Sequence, residues 1–308
     1  MKMHWHKLGL LYCPLGDKRH PKLLTHAANP LPVHLDGDVY RVFFSGRDAR
    51  NRSSVGAVDI DLVKRQVVYE HSAPLFEHGP EGSFFVDGVS IGNCYQTPEG
   101  RFMLFMGWRS PADAHWYGEV GRLRVDSEYR LSLDNEHPFM SLDERDPVSI
   151  SYPWVEQLDS GTGYKMWYGS TLTWDAGNGE MLHVIKSASS EDGERWLKND
   201  EVLPYGVGVA QAFSRPTVLQ LGSELHMWFS YRTGLGQTYR IGYASRQMDE
   251  SHWRMKLDAP GIDVSSQGWD SEMIEYPFVL KHGGEHYMLY NGNGYGRTGF
   301  GLAILSHG

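Results

Sequence analysis

The feature that most constrains this chain is a repeated pattern of an apolar strand, a polar turn and a strand of alternating aromatic residues. Clear copies read "EYPFVLKHGGEHYMLYNG" from residue 275, "FSRPTVLQLGSELHMWFSY" from residue 213 and "SYPWVEQLDSGTGYKMWYGS" from residue 151. Looser copies begin near residues 86 and 28. Five copies with a period of about 60 residues indicate a repeat architecture in which each unit packs against its neighbours.

Further strand patterns follow each copy. The segments "SSVGAVDID", "YGEVGRLRVD", "MLHVIKSAS" and "YRIGYASR" predict third strands, and short outer strands bounded by turn residues follow them. No long apolar stripe with a period of 3.6 residues is present. Four short strands in each of five units predict an all-β, five-bladed β-propeller that forms one domain over residues 1–308.

The last unit contains only three strand patterns, so its blade needs a fourth strand from elsewhere. The segment "KLGLLYC", residues 7–13, is apolar and lies outside the first unit. We therefore predict that this N-terminal strand completes the last blade, since that pairing would protect two open strand edges at once.

Net charge and composition limit the classes of molecule that this protein is expected to bind. The 308 residues carry a formal net charge of -9 and no basic run, which argues against a nucleic-acid partner. No apolar window is long enough to span a membrane, and the N-terminus lacks a signal-peptide pattern, so a cytoplasmic protein is expected. The 17 Tyr and 10 Trp suit flat polar ligands as well as sheet packing. A small molecule or an oligosaccharide is the expected partner, and the oligomeric state is left open.

The strand openings supply the candidate catalytic residues. When the copies are aligned on the small residue that ends each aromatic strand, Asn29, Asp87, Ser151 and Ser214 take the place of Glu275. Only Asp87 and Glu275 are acidic, and their blades flank the first blade in a closed ring of five. Cleavage of a glycosidic bond needs two carboxyl groups on opposite sides of that bond.

The pattern resembles the five-bladed glycosidase superfamily, which includes arabinanases, β-xylosidases, invertases, levansucrases and mannoside phosphorylases. The resemblance rests on the five units, on the acidic strand openings and on the turn "SEDGERW" at residues 190–196. It covers nearly the whole chain and does not fix the subfamily. It implies a sugar site in the funnel where the first strands begin. Asn29 departs from the pattern, because a third acidic residue usually tunes the catalytic pair and the base usually lies on the first blade.

The chemistry assigns a role to each carboxyl group. Glu275 is predicted to be the general acid, since burial among Tyr276, Phe278 and Tyr152 would raise its pKa. Asp87 is the predicted general base, and the reaction is expected to proceed by inversion. Either carboxylate could instead cap a strand or pair with an arginine. Phosphorolysis or glycosyl transfer with arginine-bound phosphate, and a non-catalytic carbohydrate-binding propeller, remain the alternatives.

Polar and aromatic residues at the same end of the ring are predicted to bind the substrate. Arginine can hold a sugar hydroxyl, a carboxylate or a phosphate through two hydrogen bonds, and Trp can stack on a sugar ring, although solvated loops, ion pairs and packing between blades are competing explanations. The predicted substrate-binding residues are Asn29, Arg47, Asp48, Trp108, Arg109, Tyr152, Trp174, Arg215, Arg232, Tyr276, Asn291 and Asn293.

No cofactor is expected from the motifs. The 15 His show no metal-binding spacing, and His26 near the funnel reads as a hydrogen-bonded histidine. A structural metal ion in the central channel is left open. The run "GNGYGRTG" joins two strands rather than opening a helix, so it is not a nucleotide-binding loop. Asp146 of "ERDP" is explained by a turn before a strand.

Overall fold

The computed structural model describes residues 3–16, 19–158 and 163–306, and it is built almost entirely of short antiparallel strands. The elements in chain order are β1 His4–Tyr12, β2 Thr25–Asp36, β3 Val39–Arg47, β4 Ser53–Asp61, β5 Gln66–Glu70, β6 Gly88–Thr97, β7 Gly100–Arg109, β8 Tyr117–Val125, β9 Leu131–Leu133, β10 Ser149–Gln157, β11 Tyr164–Thr173, β12 Leu182–Ser190, β13 Leu197–Val202, β14 Gln211–Leu221, β15 Glu224–Arg232, β16 Arg240–Gln247, β17 Arg254–Met255, β18 Glu275–His282, β19 Glu285–Asn291, α1 Asn293–Gly296 and β20 Phe300–Ser306.

The strands form five four-stranded blades, as the repeat predicts. The first four blades are β2–β5, β6–β9, β10–β13 and β14–β17, and the first two are joined by a single parallel pair between β4 and β6. The fifth blade contains β18, β19 and β20 with β1 at its outer edge. Pairing of β1 with β20 runs antiparallel from His4 opposite Ser306 to Tyr12 opposite Phe300. The predicted closure by an N-terminal strand is therefore confirmed, with the strand at His4–Tyr12 rather than at residues 7–13.

Burial falls from the axis of the ring to its rim. The first three strands of each blade pack against the neighbouring blades and are mostly buried, whereas the outer strand β5 is largely exposed. The aromatic second strands supply much of the core, with Phe43, Phe105, Tyr168, Phe229 and Tyr290 all fully buried. This packing of large apolar surfaces between blades is the main stabilising term for the ring.

Each innermost strand is kinked where it reaches the axis. Just after the kink begins, Asn29, Tyr152, Arg215 and Tyr276 have positive φ angles between 41° and 56°. In the second blade the matching residue is Gly92, where a Cβ atom would lie too close to the carbonyl oxygen of Pro153. Non-glycine residues held in the left-handed region cost on the order of 1–3 kcal/mol each and cluster at functional sites.

The kinks correct the sequence alignment of the ring. In blades one, three, four and five, the kink follows the residue that pairs with the small residue near the end of the second strand. In blade two, the kink follows the residue that pairs with Phe105, and not the residue that pairs with Gly107. Asp87 lies before the start of β6 and is therefore not the counterpart of Glu275. Asn29 lies one position after the counterpart of Glu275 in blade one. The true counterparts of Glu275 are Ala28, Ile91, Ser151 and Ser214.

Among residues 3–16, 19–158 and 163–306, no helix is long and apolar enough to cross a membrane.

Candidate active site

A cavity of about 340 Å³ lies where the innermost strands of all five blades converge. A more open groove of about 670 Å³ lies beside β1 and residues 257–265, away from this convergence. The convergent cavity combines tyrosines, tryptophans and two arginines. Its wall is formed by Arg47, Ser90, Met106, Trp108, Ser110, Trp116, Tyr152, Met181, His183, Phe213, Ser214, Arg232, Tyr239, Tyr276 and Tyr295.

Glu275 lies at the start of β18, directly before the wall residue Tyr276, and is itself buried behind the residues that line the cavity. Its side chain is 0% exposed, and neither carboxyl oxygen has a hydrogen-bond partner within the described part of the chain. Burial raises the pKa of Glu275 well above its usual value, while the charges of Arg47 and Arg232 act in the opposite direction. A carboxyl group with a raised pKa keeps its proton to higher pH than an exposed one and is suited to donate that proton.

Three tyrosines surround Glu275 with neutral hydroxyl groups. The hydroxyl oxygens of Tyr152 and Tyr276 are 3.4 Å apart. Burial raises the pKa values of Tyr152, Tyr239 and Tyr276, and the charge of Glu275 raises each of them further. These phenols therefore stay protonated and can hydrogen-bond the hydroxyl groups of a sugar.

Arg232, at the end of β15, reaches the cavity already paired. Its Nε lies 2.6 Å from Glu180 Oε2, and its Nη2 donates to Glu180 Oε1 at 2.8 Å. The guanidinium also lies 5.0 Å from the centre of the Tyr239 ring. Sequence reasoning missed Glu180, which is only 3% exposed, because it lies in a loop of blade three and meets Arg232 only when the ring closes.

Arg47, at the end of β3, reaches the cavity unpaired. It is half-buried and lines the wall, yet its guanidinium makes no hydrogen bond or ion pair with any residue that the structure describes. Its charge still affects Glu275 and Tyr152 across the cavity. Arg47 therefore lies in the cavity wall, and its contact with a substrate stays a prediction.

His183 is a second wall residue that the sequence did not single out. Its Nε2 bonds Ser151 Oγ at 2.7 Å, and its Nδ1 bonds Thr171 Oγ1 at 2.6 Å. Burial lowers its pKa to about 4, so it is neutral at physiological pH. A lone histidine in the strand "MLHVIK" carries no motif, and only the packing of β10, β11 and β12 shows its place.

Asp87 lies at the rim of the cavity. Ser110 N donates to Asp87 Oδ2 at 2.7 Å, and Asp87 N donates to the carbonyl oxygen of Trp108 at 3.2 Å. Both Ser110 and Trp108 line the cavity. Asp87 is half-buried and forms no ion pair with a described residue, so its second oxygen is available to water or substrate.

The tryptophans divide between wall and rim. Trp108 lines the cavity and donates from its indole nitrogen to Ser53 Oγ at 3.2 Å. Trp174 does not line the cavity, but its ring centre lies 5.0 Å from that of Trp116, which does line it. His115 stacks on Trp174 at 4.7 Å, so loops of blades two and three form an aromatic edge beside the opening.

Two residues predicted to bind substrate are held by their own loops instead. Asp48 accepts backbone hydrogen bonds from Arg50 and Arg52 and forms an ion pair with the Arg52 side chain at 2.8 Å. Arg109 pairs with Glu119 at 2.9 Å and lies outside the cavity wall. Each side chain pairs with a residue of its own blade, and neither is among the residues that form the cavity wall.

The three asparagines that were predicted to bind substrate stabilise the backbone. Asn291 is fully buried, donates to the carbonyl oxygens of Ala27 and Gly299, and accepts from Asn29 N, so it fastens blade five to blade one. Asn293 accepts from the backbone nitrogens of residues 272 and 273. Asn29 is buried behind the wall, where its side-chain nitrogen has no partner among the described residues.

Arg215 lies in the channel below the cavity rather than in its wall. The side chain is 2% exposed, and its guanidinium donates to the carbonyl oxygens of Tyr276 at 2.9 Å, Pro30 at 2.8 Å and Gly92 at 3.5 Å. Burial lowers its pKa to about 9. The alternative explanation of Arg215, a salt bridge to Glu275, is not seen among the described residues. Arg215 instead satisfies backbone carbonyl oxygens of three other blades.

No cluster of three or more metal-binding side chains is found among the described residues. His26 bonds Thr25 Oγ1 through Nδ1 at 2.8 Å, in keeping with a hydrogen-bonded histidine. Asp146 is fully buried and pairs with Lys186 and Lys198, which gives it a structural place away from the cavity.

Comparison with known proteins places this geometry in context. No family model matches the sequence. Two proteins from strains of Mycobacterium tuberculosis, "Uncharacterized protein Rv1502" and "Uncharacterized protein MT1551", are 42% identical to this chain over 307 residues, covering 99% of it and 100% of each relative.

Solved structures share the fold at low sequence identity. A structure described as "Glycoside hydrolase" superposes with a TM-score of 0.72 at 14% identity, covering 100% of this chain and 93% of the other. A structure described as "The GH130 family of mannoside phosphorylases contains glycoside hydrolases that target beta-1,2 mannosidic linkages in Candida mannan" gives 0.70 at 11% identity, covering 99% and 94%. A thermostable family-43 glycoside hydrolase gives 0.65 at 14%, covering 94% and 91%. These likenesses show that the chain shares its propeller fold with those structures.

Proposed function

This chain belongs to the family of the Mycobacterium tuberculosis protein Rv1502, and we propose that it is a glycoside-active enzyme that cleaves a small or terminal glycoside in the convergent cavity. One observation carries the proposal: Glu275 is a fully buried carboxyl group whose two oxygens have no partner among the described residues. Burying such a group without a hydrogen bond is destabilising. A fold retains it where a ligand supplies the partner, and a glycosidic oxygen accepts the proton that a raised pKa holds on Glu275.

Glu275 and Asp87 divide the chemistry of hydrolysis. Glu275 donates its proton to the leaving glycosidic oxygen as the bond from that oxygen to the anomeric carbon breaks. Asp87 takes a proton from a water molecule, whose oxygen forms the new bond to the anomeric carbon from the opposite face. The product then has the inverted anomeric configuration. The free oxygen of Asp87 at the cavity rim supports this role, although the corrected ring alignment no longer does.

Phosphorolysis is the second candidate, and the unpaired guanidinium of Arg47 favours it. Inorganic phosphate is itself a nucleophile, so phosphorolysis needs a proton donor but no carboxylate base. Glu275 is the one acidic residue among the five equivalent strand positions. An arginine beside it can hold phosphate through two hydrogen bonds.

A panel of nitrophenyl glycosides of both anomers, assayed with and without inorganic phosphate, tests the proposal. We expect turnover of at least one glycoside that Glu275→Gln and Asp87→Asn each reduce by at least about 100-fold. Glu272→Gln is the matched control, because Glu272 is exposed and lies three positions before Glu275. Nuclear magnetic resonance of the first-formed product gives its anomeric configuration.

Each alternative predicts a different outcome. Turnover that requires phosphate and survives Asp87→Asn would establish phosphorolysis instead of hydrolysis. Full activity in Glu275→Gln would refute the proton-donor role. Binding of sugars without turnover by the wild type would assign a carbohydrate-binding propeller.

A further inference from the structure

We infer that the substrate of this cavity carries an anionic substituent, a carboxylate or a phosphate monoester on the sugar, and that Arg47 binds that substituent. The inference rests on the proposed function and names its substrate class. It would make Arg47 the residue that selects acidic over neutral glycosides.

First, Arg47 has no counter-ion among the described residues, whereas the nearby arginines Arg232 and Arg52 each have one. Arg232, the other arginine in the wall, is paired with the buried Glu180. Arg52, in the loop that follows Arg47, is paired with Asp48. Arg47 is half-buried in the wall and makes no side-chain hydrogen bond or ion pair with a described residue.

The second step is that Glu275 does not neutralise Arg47. Both Glu275 oxygens lack hydrogen-bond partners among the described residues, so the two side chains do not form a direct pair. Burial raises the pKa of Glu275 well above its usual value, which disfavours the ionised form that could pair with Arg47. His183 is neutral as well. Among the residues of the wall, Arg47 therefore carries a positive charge that no direct counter-ion neutralises, and the rim carboxylate Asp87 forms no ion pair with it.

A histidine outside the wall reports the same excess of positive charge. The pKa of His26 is lowered to about 4, first by burial and then by the charges of Arg47 and Arg297. The protein as a whole has a formal net charge of -9, so this positive region is local to the funnel. A locally cationic cleft in an acidic protein concentrates anionic ligands.

The third step is the chemistry of the partner. A neutral sugar that filled the cavity would strip water from Arg47 without offering an opposite charge, which is unfavourable. A carboxylate or phosphate group would accept two parallel hydrogen bonds from the guanidinium. Such an anion would also screen Glu275 from the charge of Arg47 and keep the proton on Glu275. Substrate binding would thereby prepare the proposed acid.

Binding measurements in the Glu275→Gln protein test the inference without turnover. The probes are matched pairs of neutral and acidic sugars, namely glucose with glucuronate and glucose 6-phosphate, galactose with galacturonate, and mannose with mannuronate, and inorganic phosphate alone. Calorimetry and the thermal midpoint both report binding, since a ligand stabilises the folded protein by mass action. At least one acidic sugar should bind about 10- to 100-fold more tightly than its neutral counterpart.

Variants at two arginines of one loop identify the residue responsible. Arg47→Gln should remove the preference for the acidic sugar. Arg50→Gln is the control and should retain it, because Arg50 is exposed and is not among the residues that form the cavity wall. A preference that survives Arg47→Gln would overturn the assignment.

Two further results would also overturn it. Equal binding of acidic and neutral sugars would show that no anion is selected. Binding of inorganic phosphate with no preference for any acidic sugar would show that the anion is a free co-substrate. If instead Arg47-dependent binding of acidic sugars is found but Glu275→Gln has no effect on turnover, the anion site stands and the proposed role of Glu275 fails.

Discussion

Replacing Glu275 by Gln should make the protein more stable while it abolishes activity. The side chain is fully buried, and the described residues offer its oxygens no hydrogen bond. Glutamine has nearly the same shape as the protonated carboxyl group, but it has no charged form. The variant therefore removes the cost of ionisation and little else.

The direction of the pH dependence follows from the raised pKa. The folded-state pKa of Glu275 lies well above its ordinary value because of burial, whereas the unfolded chain titrates near about 4.3. Below about pH 4 the group is protonated in both states and contributes no difference. Between the two pKa values the unfolded chain releases the proton and the folded protein does not, so the wild type loses about 1.36 kcal/mol of unfolding free energy per pH unit.

The size of the effect is bounded by the cost of an unsatisfied buried group. That cost is about 1–3 kcal/mol, and more for a charged group. We expect Glu275→Gln to exceed the wild type by little near pH 4 and by at least about that amount near pH 8, since the loss of about 1.36 kcal/mol per pH unit accumulates up to the folded-state pKa. For a chain of 308 residues each kcal/mol corresponds to about 1.5 °C in the thermal midpoint.

Urea unfolding followed by circular dichroism at about pH 4, pH 6 and pH 8 measures the difference. Glu272→Gln serves as the control for removing one exposed carboxylate nearby. The reasoning is refuted if Glu275→Gln is less stable than the wild type at pH 8, or if its advantage over the wild type does not grow with pH. A growing advantage that Glu272→Gln shows equally would refute it too.

Three other predictions test the framework around the site. Arg215→Met should lower the unfolding free energy by at least about 2 kcal/mol in urea titrations, because it leaves three buried carbonyl oxygens without a donor. An unchanged unfolding midpoint would contradict a stabilising role for these three hydrogen bonds. Glu180→Gln should shift the basic limb of the kcat–pH profile to lower pH, because Arg232 without its counter-ion lowers the pKa of Glu275 more strongly. A basic limb at unchanged pH would contradict this coupling between Arg232 and Glu275. Removing β1 should expose the edge of β20 and cause loss of stability or aggregation in size-exclusion chromatography, and a stable monomer would argue against its role in closure.

The repeat in the sequence was sufficient to predict the architecture. Alternating apolar and aromatic residues dictate which face of each strand is buried, and a period of about 60 residues with four strands in each unit leaves a propeller as the natural packing. The shortage of one strand in the last unit also predicted the pairing of the N-terminal strand. These properties depend on local periodicity and on strand number, which a sequence displays directly.

The sequence also placed Glu275, but it misplaced its supposed counterpart. The "IEYP" opening puts an acidic residue inside an apolar strand, which is visible without a structure. The alignment of Asp87 failed because Val89, not Asp87, lies opposite Gly107, and because the kink of β6 lies opposite Phe105 instead. An extra residue in a strand shifts every later side chain by one position, and nothing in the local sequence fixes where it is inserted.

Only the tertiary structure decided which charges remain free. Asp48 and Arg109 find partners within their own hairpins, Arg215 turns to backbone carbonyl groups of three other blades, and Arg232 meets Glu180 from another loop. A charged side chain pairs with whatever group the folded chain brings within a few ångströms, and that neighbour is usually distant in sequence. The sequence thus determined the ring and its one acidic strand opening, whereas the packing of the blades left Glu275 and Arg47 without partners among the described residues, because pairing depends on distances that exist only once the ring has closed.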